Sequence, residues 1–239
     1  MLRFIGINAF IGVFSVFICI HVLLLSIFDR DGKLVHFYGA VPWVKVILWV
    51  CGVKVKVKGL ENVDPDLPRI YMSNHQSYFD IFAFFAGLPI DFKYMLKKEL
   101  MRIPLFGIAV WRARHISVDR GNPRKAFKSV QKAVEKIRSG YSVLIFPEGT
   151  RSPDGHMQPF KRGGFRLALQ AGCDIVPVAI CNSHNIVPKG SLKVNKGVIA
   201  INIGKPIPIK DYSKKNIDKL MARVREAVSA KLSEEQDSL

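Results

Sequence analysis

The chain has 239 residues, of which 49% are hydrophobic and 16 are Phe, and it carries a formal net charge of +17. This excludes a globally disordered chain and argues for anionic partners, either nucleic acid or an acidic lipid surface, without choosing between them. The four cysteines, Cys19, Cys51, Cys173 and Cys181, form no C-x-x-C pair, which argues against a metal site or disulfide framework and for reduced, buried thiols.

In chain order, the first element is the apolar run FIGINAFIGVFSVFICIHVLLLSIF at 4–28, which contains no Asp, Glu, Lys or Arg. A helix of that length reaches about 37 Å, enough for a hydrocarbon core of about 30 Å. No A-x-A cleavage pattern follows it, so a retained anchor is expected rather than a signal peptide. After the charged break DRDGK comes VHFYGAVPWVKVILWVCG at 35–52, with Pro42, Lys45 and two interfacial-type tryptophans, Trp43 and Trp49. A single spanning helix competes with a helical hairpin in one leaflet, Lys45 snorkelling outward; the hairpin is preferred. Residues 1–50 are therefore read as membrane-anchoring helices and 51–239 as one soluble domain, its Lys/Arg-rich surface facing the cytoplasm.

Beyond Cys51 the pattern changes. VKVKVKG at 53–59 alternates as a half-exposed strand does, and RIYMS at 69–73 reads as a buried strand. DFKYMLKK at 91–98 is a third strand, ELMRIPLFGIAVWRA at 99–113 is helical in composition despite Pro104, and HISVDR at 115–120 is a fourth strand. PRKAFKSVQKAVEKIRSG at 123–140 is the clearest amphipathic helix, with Pro123 in its first turn and Gly140 as its stop. YSVLIF at 141–146 is a strand, FRLALQAG at 165–172 a helix, and DIVPVAI and GVIAINIG are strands. An amphipathic helix over 216–232 and a polar tail close the chain. Strands alternating with helices predict an α/β layered sheet flanked by helices.

Two stretches carry candidate chemistry. In YMSNHQSYFDIF, His75 precedes Asp80 by five positions. In a continuous helix that spacing would splay the side chains by about 140°, so they can meet only if His75 lies in the turn before the helix and Asp80 in its first turn. Ser77 and Asp80 form the S-x-x-D pattern of a helix start, with Ser77 at the N-cap, which fits that arrangement. A neutral histidine base held by an aspartate is one reading; a polar loop residue beside a helix-capping carboxylate is the other. G-x-S-x-G is absent, so a serine-hydrolase elbow is not supported and a hydroxyl to be deprotonated would belong to the substrate. FPEGTRS at 146–152 follows a strand end, with a glycine for close backbone approach and Arg151 as a planar fork for phosphate. Lys161 and Arg162 beside Gly163 and Gly164 add a second anion-friendly helix start. The common nucleotide cradles G-x-G-x-x-G and G-x-x-x-x-G-K-[ST] are missing.

NHQSYFD resembles the N-H-x-x-x-x-D motif of the glycerolipid acyltransferases, and FPEGTRS their second signature. KKELMRIPLFG at 97–107 is similar to a third block and IVPVAI, around Pro177, to a short closing block. One departure is Arg114-His115 where the family often has a glycine. The resemblance implies an α/β acyltransferase domain in which His75 is the general base and Asp80 its partner. Glu148, Gly149, Thr150 and Arg151, with Lys97 and Lys161, would bind substrate. It implies no metal and no cofactor beyond the thioester of acyl-CoA or acyl carrier protein, with lysophosphatidic acid and membrane lipid as partners and no nucleic acid. The alternatives are an acceptor such as glycerol 3-phosphate or another lyso-lipid, or a non-catalytic basic protein that binds membrane or nucleic acid.

Overall fold

The computed structural model describes residues 1–119, 121 and 123–236, without the side chains of 123–127 and 235–236. The two apolar segments fold back on each other. Helix α1 is Leu2–Leu25, and the second segment is a π-helical stretch, Val35–Ala40, that continues into α2, Val41–Cys51. Arg3 Nη2 donates to the Cys51 carbonyl, Trp43 Nε1 donates to Ser15 Oγ, and His21 Nε2 lies 3.2 Å from the Tyr38 carbonyl. Early residues of one helix thus meet late residues of the other, which makes an antiparallel hairpin. Its apex is closed locally: the Asp29 carboxylate accepts from the Gly32, Lys33 and Val35 N–H groups. The apex is also tied to the rest of the chain, because Lys93 Nζ donates to the Gly32 carbonyl and Arg114 Nε to that of Arg30.

The strands are β1 (Val53–Lys58), β2 (Ile70–Ser73), β3 (Phe92–Lys97), β4 (Ile116–Val118), β5 (Ser142–Ile145), β6 (Ile175–Cys181) and β7 (Gly197–Ile203). They form one seven-stranded sheet in the order β1-β7-β6-β2-β5-β3-β4. Every pairing is parallel except β6 with β7. The helices are α3 (Phe79–Gly87), α4 (Phe106–Arg112), α5 (Pro123–Arg138), α6 (Arg162–Ala171), α7 (Ser183–Ile186) and α8 (Ile217–Gln236). Side chains alternate across the central strands as the pleat requires. Tyr71, Leu144 and Val176 face one core with Val44 and Ile47 of α2 and Ala83 and Phe84 of α3. Ile70, Met72, Val143 and Ile145 face the other, with Val134 of α5, Phe165 of α6 and Leu220 and Val224 of α8.

This topology positions the site. The chain leaves β2 through α3 to reach β3, beyond β5, and leaves β5 through α6 to reach β6, beyond β2. The adjacent carboxyl ends of β2 and β5 therefore diverge to opposite faces, which opens the crevice where parallel α/β sheets bind ligands.

Several expected elements are adjusted. The helix anticipated over 99–113 is broken into a 3-10 turn, Lys98–Arg102, and α4. Pro104 cannot donate to a continuous ladder. The chain instead turns at Leu105 (φ 60°, ψ −52°), with the Phe106 N–H bonded back to the Pro104 carbonyl at 2.6 Å. At Gly107 any side chain would collide with the Met101 carbonyl, so this turn demands glycine there. The strand expected over 115–120 is shorter, and Arg120, like tail residues 237–239, lies outside the described residues. Helix α3 begins at Phe79 with Tyr78 at its cap, one residue later than anticipated. The Ser77 side chain still does the capping, since its Oγ accepts the Phe79 N–H.

Candidate active site

The turn after β2 is built by its own polar side chains. Asn74 is fully buried, and its amide donates to the Ile180 carbonyl and accepts from the Ile180 N–H, both at 2.8 Å, which locks the turn to β6. Three residues then converge on a single atom, Asp80 Oδ2. His75 Nδ1 lies 2.7 Å from it, and the Gln76 and Ser77 N–H groups donate to it at 2.7 and 2.9 Å. His75 thus precedes the helix and Asp80 occupies its first turn. With Nδ1–H directed at the carboxylate, Nε2 is the basic nitrogen left over. The Gln76 and Ser77 N–H groups, the natural oxyanion donors of this helix start, are committed to Asp80. The imidazole is stacked on Phe146, ring centroids 3.9 Å apart and planes 11° from parallel.

The loop after β5 grips the same histidine by its backbone. Glu148 Oε1 accepts the His75 N–H at 2.8 Å, and the Ser152 N–H donates to the His75 carbonyl at 2.7 Å. The other Glu148 oxygen accepts the Gln158 N–H at 3.1 Å. Glu148 is buried, 2% exposed, and burial pushes its carboxyl up to about 7 against the opposing pull of those two N–H donors. Its position is that of a strut between two loops. Gly149 adopts φ +75°, a conformation costly for side-chain-bearing residues, and the end of the Lys161 side chain lies over it.

The Arg151 guanidinium sits over the Tyr78 ring, its Cζ 3.6 Å from the ring centroid, and its Nη1 is buried without a partner. Lys189, in the loop after α7, donates to the Arg151 carbonyl at 2.9 Å and lies 3.4 Å from Thr150 Oγ1. Lys97 ends β3 with a largely exposed side chain, 3.8 Å from Glu99. His75, Thr150, Arg151 and Lys97 all line one cavity of about 580 Å³; Glu148 and Lys161 do not. That volume lies in the usual range for small-ligand sites. The cavity continues away from His75 between the hairpin and the sheet, walled by Ile11, Ile18 and Val22 of α1, Phe82 and Phe85 of α3 and Val110 of α4. His115 also lines it, half-buried, with Nδ1 accepting the Tyr94 N–H; desolvation, aided by Lys93, holds its imidazole well below the usual range and therefore neutral. Among the described residues, no group of three or more His, Cys, Asp or Glu could hold a metal ion.

Sequence reasoning singled out His75, Asp80 and Arg151, which the fold brings to one crevice, but assigned no role to Asn74, Tyr78, Phe146 or Lys189. Asn74 and Tyr78 lie inside the motif, and their signal was the choice of a two-way hydrogen-bonding amide and an aromatic at those positions. Lys189 has no local signal, because only the fold brings it to Arg151.

The structure thus brings a histidine–aspartate pair in a parallel-sheet crevice beside an arginine whose Nη1 has no partner, with an apolar cavity behind them. Residues 54–181 match the family model described as Acyltransferase, and the chain belongs to that family. It is 34% identical over 183 residues to the chloroplastic 1-acyl-sn-glycerol-3-phosphate acyltransferase BAT2 of Brassica napus, covering 76% of this chain and 53% of that one. To the 1-acyl-sn-glycerol-3-phosphate acyltransferase of Pseudomonas aeruginosa it is 35% identical over 197 residues, covering 80% and 76%. The chain thus spans about half the length of the plant relative and about three quarters of the bacterial one. The crystal structure of the 1-acyl-sn-glycerophosphate acyltransferase PlsC from Thermotoga maritima superposes with a TM-score of 0.84 at 27% identity, covering 98% of this chain and 95% of that one.

Proposed function

We propose that the protein is a membrane-associated acyltransferase that moves a fatty acyl group from acyl-CoA or acyl carrier protein to the sn-2 hydroxyl of 1-acylglycerol 3-phosphate, giving phosphatidic acid. The observation that carries this reading is a shared cavity. One apolar space receives the His75 imidazole, oriented by Asp80 at 2.7 Å, and the Arg151 guanidinium with its unpartnered Nη1. The names of the relatives point to the same chemistry.

In this mechanism His75 Nε2 takes the proton of the acceptor hydroxyl as its oxygen attacks the thioester carbonyl. The Asp80 carboxylate stabilises the imidazolium that results. Collapse of the tetrahedral species breaks the C–S bond, and the departing thiolate takes the proton back from the imidazolium. Arg151 holds the phosphate with its planar fork, Thr150 and Gly149 shape the loop beside it, Lys97 adds positive charge from the cavity wall, and Lys161 adds it from behind Gly149. Glu148 acts from beneath, by fixing the His75 peptide. The apolar cavity accepts an acyl chain, consistent with a lipid acceptor.

The exposed side of the hairpin supports membrane docking. Its outer surface exposes Val13, Phe17, Leu24, Ile27, Phe28 and Trp49, the last two by 82% and 81%, and Ile108 and Trp111 of α4 are exposed beside α1. The apex is held by Lys93 and the open end by the Leu192 carbonyl, which accepts from the Asn8 amide at 3.2 Å, and this favours a hairpin lying in one leaflet over a helix crossing to the far side.

The test is a donor-by-acceptor matrix on the purified full chain in detergent. Acyl-CoA and acyl carrier protein are each offered with lysophosphatidic acid, glycerol 3-phosphate and lysophosphatidylcholine, with thiol release and lipid product as readouts. Thiol release should depend on lysophosphatidic acid and exceed that with the other acceptors by at least about tenfold. A protein that merely binds acidic surfaces releases no thiol with any pair, and that outcome overturns the proposal. Preference for another acceptor overturns the substrate assignment alone.

A further inference from the structure

We infer that Tyr78 is a positioning residue for the acceptor's phosphate: its ring is the platform that holds the Arg151 guanidinium at a fixed distance from His75. The inference rests on the acyltransferase reading above and deepens it at a residue to which neither signature segment assigns work.

The geometry starts from the backbone between His75 and Asp80, where each peptide is tied. The His75 N–H and carbonyl are held by Glu148 and Ser152, the Gln76 and Ser77 N–H groups by Asp80 Oδ2, and the Ser77 hydroxyl donates to the Val187 carbonyl at 2.7 Å. Tyr78 follows as the cap of α3, with helical φ and ψ of −64° and −27°. Its ring therefore projects from a fixed Cα, although the residue is 51% exposed and buries little of itself in the core. What the ring does cover is the guanidinium, whose Cζ lies 3.6 Å from the ring centroid, well within cation–π range.

Arg151 needs such a support. No carboxylate lies within ion-pair distance of it among the described residues, and its Nη1 is buried with no partner. Lys189 fixes its carbonyl, which settles the backbone and leaves the long side chain to be placed by something else. A ring face can do that without consuming any N–H donor, so the whole fork stays available for phosphate.

The consequence is a ruler. In the proposed acceptor the reacting hydroxyl and the phosphorus are separated by a fixed, short run of bonds along glycerol. The base and the fork must be spaced to match, and both are delivered by one helix start: His75 through its tied backbone, Arg151 through Tyr78. A mobile guanidinium would still bind phosphate, but with part of its binding energy used to order the side chain.

The experiment measures acceptor KM and kcat for lysophosphatidic acid in the parent, Tyr78→Leu, Tyr78→Phe, Arg151→Gln and the Tyr78→Leu/Arg151→Gln double variant, each checked by a thermal melt. Tyr78→Leu should raise acceptor KM by about 3- to 30-fold, the range of a partly desolvated cation–π contact, with kcat changed far less. Tyr78→Phe, which keeps the ring, should bring KM back to within about twofold of the parent. In the Arg151→Gln background the leucine substitution should add less than about twofold, because there is no guanidinium left to hold. An equal KM increase in both backgrounds would mean that Tyr78 touches the lipid directly, and the inference fails. If Arg151→Gln raises KM and Tyr78→Leu does not, the inference fails while the phosphate assignment stands. An unchanged KM in Arg151→Gln removes the assignment itself, and the inference with it.

Discussion

Replacing Asp80 by Asn isolates the electrostatic part of the proposed mechanism. Asp80 Oδ2 accepts from His75 Nδ1, Gln76 N and Ser77 N, while Oδ1 is buried with no partner. An asparagine has one oxygen, and the two backbone N–H donors dictate where it goes: into the Oδ2 position, with the amide nitrogen where Oδ1 was. The flipped amide would set N–H against N–H twice. His75 therefore keeps its acceptor and its tautomer, and only the negative charge is lost. Charge centres about 4 Å apart at an effective dielectric of about 20 interact by about 4 kcal/mol, which on the imidazolium formed during turnover corresponds to about 10³-fold in kcat. Folding should suffer less, by about 1–3 kcal/mol, as charge-assisted bonds become neutral ones. Acceptor-dependent thiol release beside a thermal melt reads both quantities. A kcat within about tenfold of the parent, with the melt unchanged, would refute the role of Asp80 as the counter-charge of a histidine base.

Two further outcomes follow from the same structure. The Glu148 carboxyl is raised by burial from its ordinary 4.5 to about 7, so between those limits the native state binds more protons than the unfolded state and this group's contribution to stability falls as pH rises. The Tm of Glu148→Gln relative to the parent should accordingly move upward between pH 5 and pH 8, and a pH-independent difference would show that the parent's charge is not destabilised there. The full chain mixed with vesicles should float with them at high salt, because contact through Phe17, Phe28 and Trp49 is not screened as charge attraction is; release by salt alone would reduce the hairpin's docking to electrostatics.

The layered α/β architecture was legible because strand and helix periods are local properties: β1 lies within a residue of where alternation placed it, and β2 within a residue of where a short apolar run placed it. The meeting of His75 with Asp80 was legible too, since a five-residue spacing permits contact only across a turn-to-helix junction, where the Ser77–Asp80 pattern put one. The anticipated helix over 99–113 failed because composition outweighed Pro104 in the reading, whereas in the fold a missing N–H ends the ladder. Glu148 was legible as part of a loop but not as a strut, because its partners are backbone groups 73 and 10 residues away. Lys93 is the hardest case. DFKYMLKK suggests a solvated lysine, yet Lys93 is fully buried, paired with Asp91 at 2.8 Å and bonded to the hairpin apex. Burial lowers its pKa from the usual lysine range, and Asp91 offsets that. Nothing in a local pattern announces that a second segment will arrive to cover it.

Helix α1 has two occupied sides: Ile11, Ile18 and Val22 wall the cavity, while Val13, Phe17 and Leu24 face outward. A partition one helix thick, with its outer side in lipid as proposed, changes the route open to a substrate. An acyl chain drawn from the bilayer past α1 and α4 never crosses water, whereas a chain entering from solution would first have to leave the membrane at about 0.8 kcal/mol per methylene. For a long-chain lipid that difference exceeds about 10 kcal/mol, enough to make sideways transfer the faster path. It would also leave the phosphate and the reacting hydroxyl at the lipid–water boundary, where the donor's thioester can reach them.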